Sequence, residues 1–131
     1  MSWNVYEFLV RPKVGVIELW LKQARIQKRA KALLNQKLDL LEQMGPDLPP
    51  DLLAGPIEGH IYKLRIRAQR VQLRPLLCRG PLHNNDEFTL LYGATERDNE
   101  LVPTNVVQRA EENRQDILAE PQRRRLHEQP F

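Results

Sequence analysis

His60-Ile61-Tyr62-Lys63-Leu64-Arg65-Ile66-Arg67 alternates between apolar and basic residues. Tyr62, Leu64 and Ile66 fall on one side of an extended chain, and Lys63, Arg65 and Arg67 on the other, which is the period of a half-buried strand. The pattern resumes after Ala68-Gln69. From Arg70 to Arg79, Val71, Leu73 and Leu77 share a face, and Arg70, Gln72 and Arg74 share the opposite one. Pro75 removes a ladder donor there and points to an edge or a bulge. Gly80-Pro81-Leu82-His83-Asn84-Asn85 is a turn, and Glu87 to Gly93 is a third strand, with Phe88, Leu90 and Tyr92 on one side. The stretch predicts an antiparallel meander with one basic face.

Upstream, Trp3 to Val10 reads as a strand rich in aromatic and β-branched residues. Pro12 suits a first helical turn, and Ile17, Trp20, Leu21 and Ala24 then make one helical stripe. A second helix runs from about Gln27 to Met44, with Ala30, Leu34, Leu38, Leu41 and Met44 on one side; Gly45-Pro46 closes it. Pro46 to Gly59 reads as a loop. Downstream, Pro103 and Thr104 open a last helix that ends near Leu118 and carries Val107, Ala110, Arg114 and Ile117 at helical spacing. The residues after Glu120, with Arg123-Arg124-Arg125, read as a solvated basic tail. The order predicts an α+β fold: an N-terminal strand and two helices packed on an antiparallel sheet whose other face is partly open, then a C-terminal helix. Residues 1–120 form one domain and 121–131 a flexible appendage.

The bulk properties fit this reading. The chain has 131 residues, 41% of them hydrophobic and 28% charged, which suits one soluble domain rather than a disordered or membrane chain. Its opening residues show no basic segment followed by an apolar one, so a cytoplasmic location is expected. A single cysteine, Cys78, excludes an internal disulfide and a cysteine-based zinc site. His60, His83 and His127 lie too far apart for a local ligand motif, so no metal is expected. No phosphate-cradling glycine loop or serine nucleophile elbow is present.

Charge is segregated. Arg11 to Gln43 holds eight basic and three acidic residues, and Ile57 to Gly80 holds six basic residues and only Glu58, each net +5; Asp86 to Glu120 holds three arginines and nine acids, net −6. Basic side chains two apart on a strand stand roughly 6.6–6.8 Å from one another, near the spacing of phosphates in an extended nucleic-acid strand. Like charges packed together cost free energy unless an anion sits among them. Lys63, Arg65, Arg67, Arg70 and Arg74 therefore read either as a polyanion platform or as a solvated face whose cations pair with Glu7, Glu58 or Glu96.

Several segments also carry a family resemblance. Ala54-Gly55-Pro56-Ile57-Glu58-Gly59-His60-Ile61-Tyr62-Lys63-Leu64-Arg65-Ile66-Arg67 resembles the "L-x-G…I-Y-E-L-R-I" run of RelE/HigB-type toxins, in the phage-derived HigB-like branch of the RelE/ParE superfamily. Leu73-Arg74-Pro75-Leu76-Leu77-Cys78 resembles its "Y-R-I-L-Y". Leu90-Leu91-Tyr92-Gly93-Ala94-Thr95-Glu96-Arg97 resembles "L-L-H-G-F-x-K-K", and Pro103 with Ala110 resembles the helix opening after it. Lys31 to Gly45 is similar to the family's second helix. The match runs from about Trp3 to Leu118.

The resemblance implies a RelE-like fold and a toxin of a type II toxin–antitoxin pair. Such a toxin is an endoribonuclease that cleaves mRNA in the translating ribosome, with the RNA 2′-hydroxyl as nucleophile and no cofactor. A helix-turn-helix antitoxin is the implied partner. By position, Lys63, Arg65, Arg67 and Arg70 would bind the RNA backbone. Arg74 would sit closest to the scissile phosphate, Arg97 matches the second lysine of the "K-K" pair, and Tyr92 stands where histidine is frequent, placed to move a proton or stack on a base. The sequence departs from the pattern at Leu73, Pro75, Ala94 and Glu96. A carboxylate at Glu96 can act as a base or repel phosphate. Two alternatives share the architecture: a ParE-like gyrase inhibitor, and a non-catalytic member that only binds or regulates.

Overall fold

The computed structural model describes residues 2–68 and 70–131. Strand β1 (Asn4–Arg11) leads through a turn at Pro12-Lys13 into the two-residue β2 (Val14–Gly15), and α1 (Val16–Gln23) follows directly. Pro12 therefore does not open the helix. Lys13 takes a positive φ of 66°, which folds the chain back as a hairpin and delays the helix to Val16. The α1 amides of Ile17 and Glu18 donate to Glu7 Oε2 at 2.8 and 2.9 Å, so a carboxylate from β1 satisfies the N-terminal donors of the helix. Gly15 makes room for this: a Cβ there would come within 2.2 Å of that carboxylate.

Helix α2 (Lys28–Met44) buries Ala30, Leu34, Leu38 and Leu41 on the stripe predicted from sequence. It ends at Gly45, whose φ is +56° and against which the Trp3 indole packs. The segment expected to be a loop contains β3 (Leu53–Glu58), and β4 (Ile61–Leu64), β5 (Ile66–Ala68), β6 (Val71–Leu73), β7 (Leu76–Arg79) and β8 (Glu87–Tyr92) follow. A hairpin of β9 (Thr95–Arg97) and β10 (Glu100–Val102) leads to α3 (Val106–Ala119), and β11 (Arg124–Leu126) lies near the end.

The architecture is α+β, with three α-helices and two sheets among the described residues. The single antiparallel meander divides. The larger sheet runs β11-β1-β8-β7-β4-β3, with β2 on β1, and the smaller runs β10-β9-β6-β5. The chain changes sheet at Arg65 and again at Arg74-Pro75, where Pro75 has no amide to give and instead accepts from Leu64 N at 3.0 Å. Nor is the larger sheet wholly antiparallel. β1 pairs with β8 in parallel, Val5 opposite Phe88 and Glu7 opposite Leu90, because the two helices and the strands between carry the chain across before it returns alongside β1.

Both faces of the larger sheet carry helices. Register places Glu7 with Leu90 on the face that meets α1. Cys78 lies opposite Thr89 on the other face, where Arg114 of α3 is close enough to act on its thiol. The core is built from Val5, Phe8, Ile17, Leu34, Leu38, Leu41, Leu64, Leu77, Phe88 and Leu90, all essentially inaccessible. Each such side chain contributes about 1.5–3 kcal/mol of burial free energy. Among the described residues no helix is long and apolar enough to cross a membrane.

The expected solvated tail is instead part of the fold. β11 pairs antiparallel with β1, Glu7 opposite Arg125. Arg124 donates to both oxygens of Glu87 (2.5 and 3.1 Å) and lies over the Tyr6 ring. Arg125 bridges Glu7 and Glu18 at 3.1 and 2.8 Å. Asn35 then pairs with Phe131 through both backbone groups, at 3.1 and 2.9 Å. A run of arginines reads as solvated only while the acids that take it up, far away in sequence, are out of view.

Candidate functional site

The basic strands deliver their side chains to two environments. Leu64, Ile66 and Ala68 turn into the core, while Arg65, Arg67 and Arg70 are exposed. Arg65 and Arg67 have the alternation that the period of two requires, whereas Arg70 lies in the turn before β6 and Val71, expected on the core face, is exposed as well. Arg67 lies opposite Gln72 across the β5–β6 ladder.

Lys63 and Arg74 are different. The change of sheet at Arg74-Pro75 carries Arg74 inward to 6% exposure, and its backbone N–H donates to Ala94 O at 2.8 Å. The guanidinium is held on three sides: Nη1 donates to Leu73 O at 3.0 Å, and Nη2 donates to Gln72 Oε1 at 2.5 Å and to Glu96 Oε2 at 3.1 Å. Lys63 Nζ approaches the other oxygen of Glu96 at 3.3 Å. Pairing with Glu96, the plainer of the two sequence readings, is thus realised for Lys63 and Arg74, which do not stand in the open row with the three exposed arginines.

The cluster is polar, partly buried and not neutral: two cations share one carboxylate. Arg74 Nε is buried and has no hydrogen-bond partner, a donor whose desolvation is uncompensated. Burial pushes the Glu96 carboxyl up, but its contacts with Lys63 and Arg74 together outweigh that and hold it below the ordinary carboxylate value. Glu96 is therefore ionised at neutral pH and has each oxygen committed to a cation. Chemically, this is one carboxylate shared by two cations, with one guanidinium nitrogen left unpartnered.

The other expected residues lie around this centre. Glu96 and Arg97 share β9; Arg97 is exposed and faces Glu100 across the β9–β10 hairpin, whose turn is made by Asp98 and Asn99 at positive φ. Tyr92 is half-buried. Register links it to the cluster, since Tyr92 lies opposite Leu76 and Leu76 opposite Lys63. Gln72 holds Arg74 in place and was legible only as a neighbour of the arginines; its position midway between Arg70 and Arg74 was the available signal. Cys78 is fully buried and its thiol is pushed up to about 12 by desolvation, so it is packing rather than chemistry. No protein-family model, curated protein or solved structure matches the chain.

Proposed function

We propose that this chain is the toxin of a type II toxin–antitoxin pair, built on a RelE/HigB-like plan, and that it cleaves mRNA in the translating ribosome. The observation that carries the reading is Glu96 held between Lys63 and Arg74, whose partner Gln72 lies opposite exposed Arg67. Transesterification of RNA needs a base for the 2′-hydroxyl and fixed positive charge for the phosphate. In the proposed reaction a backbone phosphate draws Lys63 and Arg74 away from Glu96. Freed of its cations, the carboxylate becomes more basic and takes the 2′-hydroxyl proton. The 2′-oxygen bonds to phosphorus, the bond to the 5′-oxygen breaks, and the leaving oxygen takes a proton from water. The products are a 2′,3′-cyclic phosphate and a free 5′-hydroxyl. No cofactor takes part. The exposed arginines grip the flanking backbone, and a helix-turn-helix antitoxin neutralises the toxin by laying an acidic segment over them.

One observation favours a second reading. Arg74 is already hydrogen-bonded on three sides, as in a structural ion pair, and a chain with that arrangement can serve as a non-catalytic binding member. Induced expression of the wild type beside R74A and E96Q in bacteria, with growth curves and primer-extension mapping of transcripts, separates the two. Growth arrest with translation-dependent cuts, lost in both variants, supports the nuclease. Soluble wild-type protein without arrest favours the binding member. Arrest with intact mRNA and damaged DNA points to gyrase and overturns the RNA reading.

A further inference from the structure

A cavity of about 370 Å³ opens between α1, the end of β8 and the start of α3. Two aromatic side chains line it, Trp20 from α1 and Tyr92 from β8, both half-buried. Gln23 and Arg109, each exposed, and the buried Val16 also line it. No carboxylate is among its lining residues. The indole is fixed in place by Gly93: a Cβ on that residue would meet Trp20 Cδ2 at 2.0 Å and Cγ at 2.2 Å. Absence of a side chain at Gly93 is what lets the ring lie against the sheet.

We propose that this cavity is a nucleobase subsite, in which Trp20 and Tyr92 stack on a base of single-stranded RNA while Gln23 and Arg109 contact its polar edge. The inference rests on the reading of the Lys63–Glu96–Arg74 cluster as a site for an RNA phosphate. Three features carry it. A base presents a flat π-face ringed by donors and acceptors, and single-stranded recognition uses aromatic platforms for the face and amide or guanidinium groups for the edge. Gln23 supplies both a donor and an acceptor, and Arg109 a fork of donors. The position is also suitable. Tyr92 lies opposite Leu76 and Leu76 opposite Lys63, so Tyr92 stands two strand spacings, about 10 Å, from the lysine of the cluster. A nucleotide whose phosphate meets Lys63 and Arg74 can lay a neighbouring base in the cavity. The cavity thus gives a polyanion site, which reads no sequence, a means of preferring one base.

The chain has two tryptophans, Trp3 and Trp20, so fluorescence can isolate the second. The probes are single-stranded hexanucleotides of A, C, G and U, 2′-O-methylated so that they cannot be cut, titrated into the full-length protein. In W3F the remaining emission is expected to be quenched on binding, and W20F is expected to bind normally because phenylalanine also stacks. W20A and Y92A are each expected to weaken binding about tenfold, and Q23A to narrow the difference between the best and worst base. Wild-type binding with W20A, Y92A and Q23A unchanged overturns the subsite and leaves the phosphate reading standing. If the wild type binds none of the four, the RNA reading fails, and the subsite with it.

Discussion

Arg74 Nη2 lies 3.1 Å from Glu96 Oε2, while Lys63 takes the opposite oxygen of the same carboxylate at 3.3 Å. The relationship joins two strands and a connection: β4 supplies the lysine, the chain just after β6 the arginine, and β9 the acid. E96Q keeps the shape and removes the charge, leaving a guanidinium 7% exposed beside a neutral amide. A loss of about 1–3 kcal/mol in urea unfolding at pH 7 is expected. The folded-state pKa of Glu96 is depressed, so its stabilisation is present above the ordinary carboxylate value and fades as pH falls through the folded value. The gap between wild type and E96Q is therefore expected to shrink on acidification, and an undiminished gap at pH 3 would contradict the ion-pair account.

Arg124 and Glu87 form the most enclosed ion pair described, with side chains 7% and 2% exposed. R124A leaves Glu87 buried with only the Leu82 and His83 amides donating to it, and is expected to cost about 3 kcal/mol. Deletion of residues 121–131 removes Arg124, Arg125 and the β11 ladder together and is expected to lower Tm by at least as much as R124A does. A truncated chain that melts like the wild type would show the C-terminal strand to be dispensable.

What was legible in the sequence followed from local periodicity. The α2 stripe, the end of that helix at Gly45, and the split between core-facing Leu64 and Ile66 and exposed Arg65 and Arg67 all come from spacings within a few residues. What was not legible came from distance. A period of two runs on through Arg65 with no sign that the chain leaves one sheet for another, and Pro75 marks an irregularity after Arg74 without showing that it is a change of sheet. Arg125 is 118 residues from Glu7, so no local pattern tells a strand from a solvated tail. The same limit left the site's centre open: pairing of the basic residues with Glu7, Glu58 or Glu96 was one of two readings, and what selects Glu96 for Lys63 and Arg74 is the pairing of β9 with β6 through Leu73 and Thr95.

His127 stacks on Phe131 with ring centroids 4.4 Å apart, and burial, reinforced by the Arg125 charge, holds its imidazole below the ordinary histidine range. A depressed histidine makes the folded state refuse a proton that the unfolded chain accepts. Stability is therefore present above about pH 6.5 and lost as pH falls toward the folded value. Urea midpoints are expected to drop between pH 7.5 and 5.5 in the wild type and to drop less in H127F. Parallel slopes would remove His127 as the cause.

G93A puts a methyl group where the Trp20 indole lies. Overpacking of this kind costs about 1–3 kcal/mol, and the ring is expected to move outward, seen as a red shift of Trp20 emission in a W3F background. Unchanged emission and stability would mean that the indole does not rest on Gly93.

Cys78 is buried, with its thiol pushed up to about 12. It is expected to resist dithionitrobenzoate at pH 8 in the native protein and to react fully in guanidinium. Prompt native labelling would contradict the packing of β7 against β8 and α3.

The central claim is that Glu96, released from Lys63 and Arg74 by a phosphate, starts the attack of a ribose hydroxyl. It is tested most directly by the chemistry of the RNA ends made when the purified protein acts on mRNA held in a translating ribosome. The account expects 2′,3′-cyclic phosphate and 5′-hydroxyl ends with the wild type, and no cleavage above background with E96Q that is folded by circular dichroism. Ends bearing 3′-hydroxyl and 5′-phosphate, or cleavage undiminished in E96Q, would contradict it.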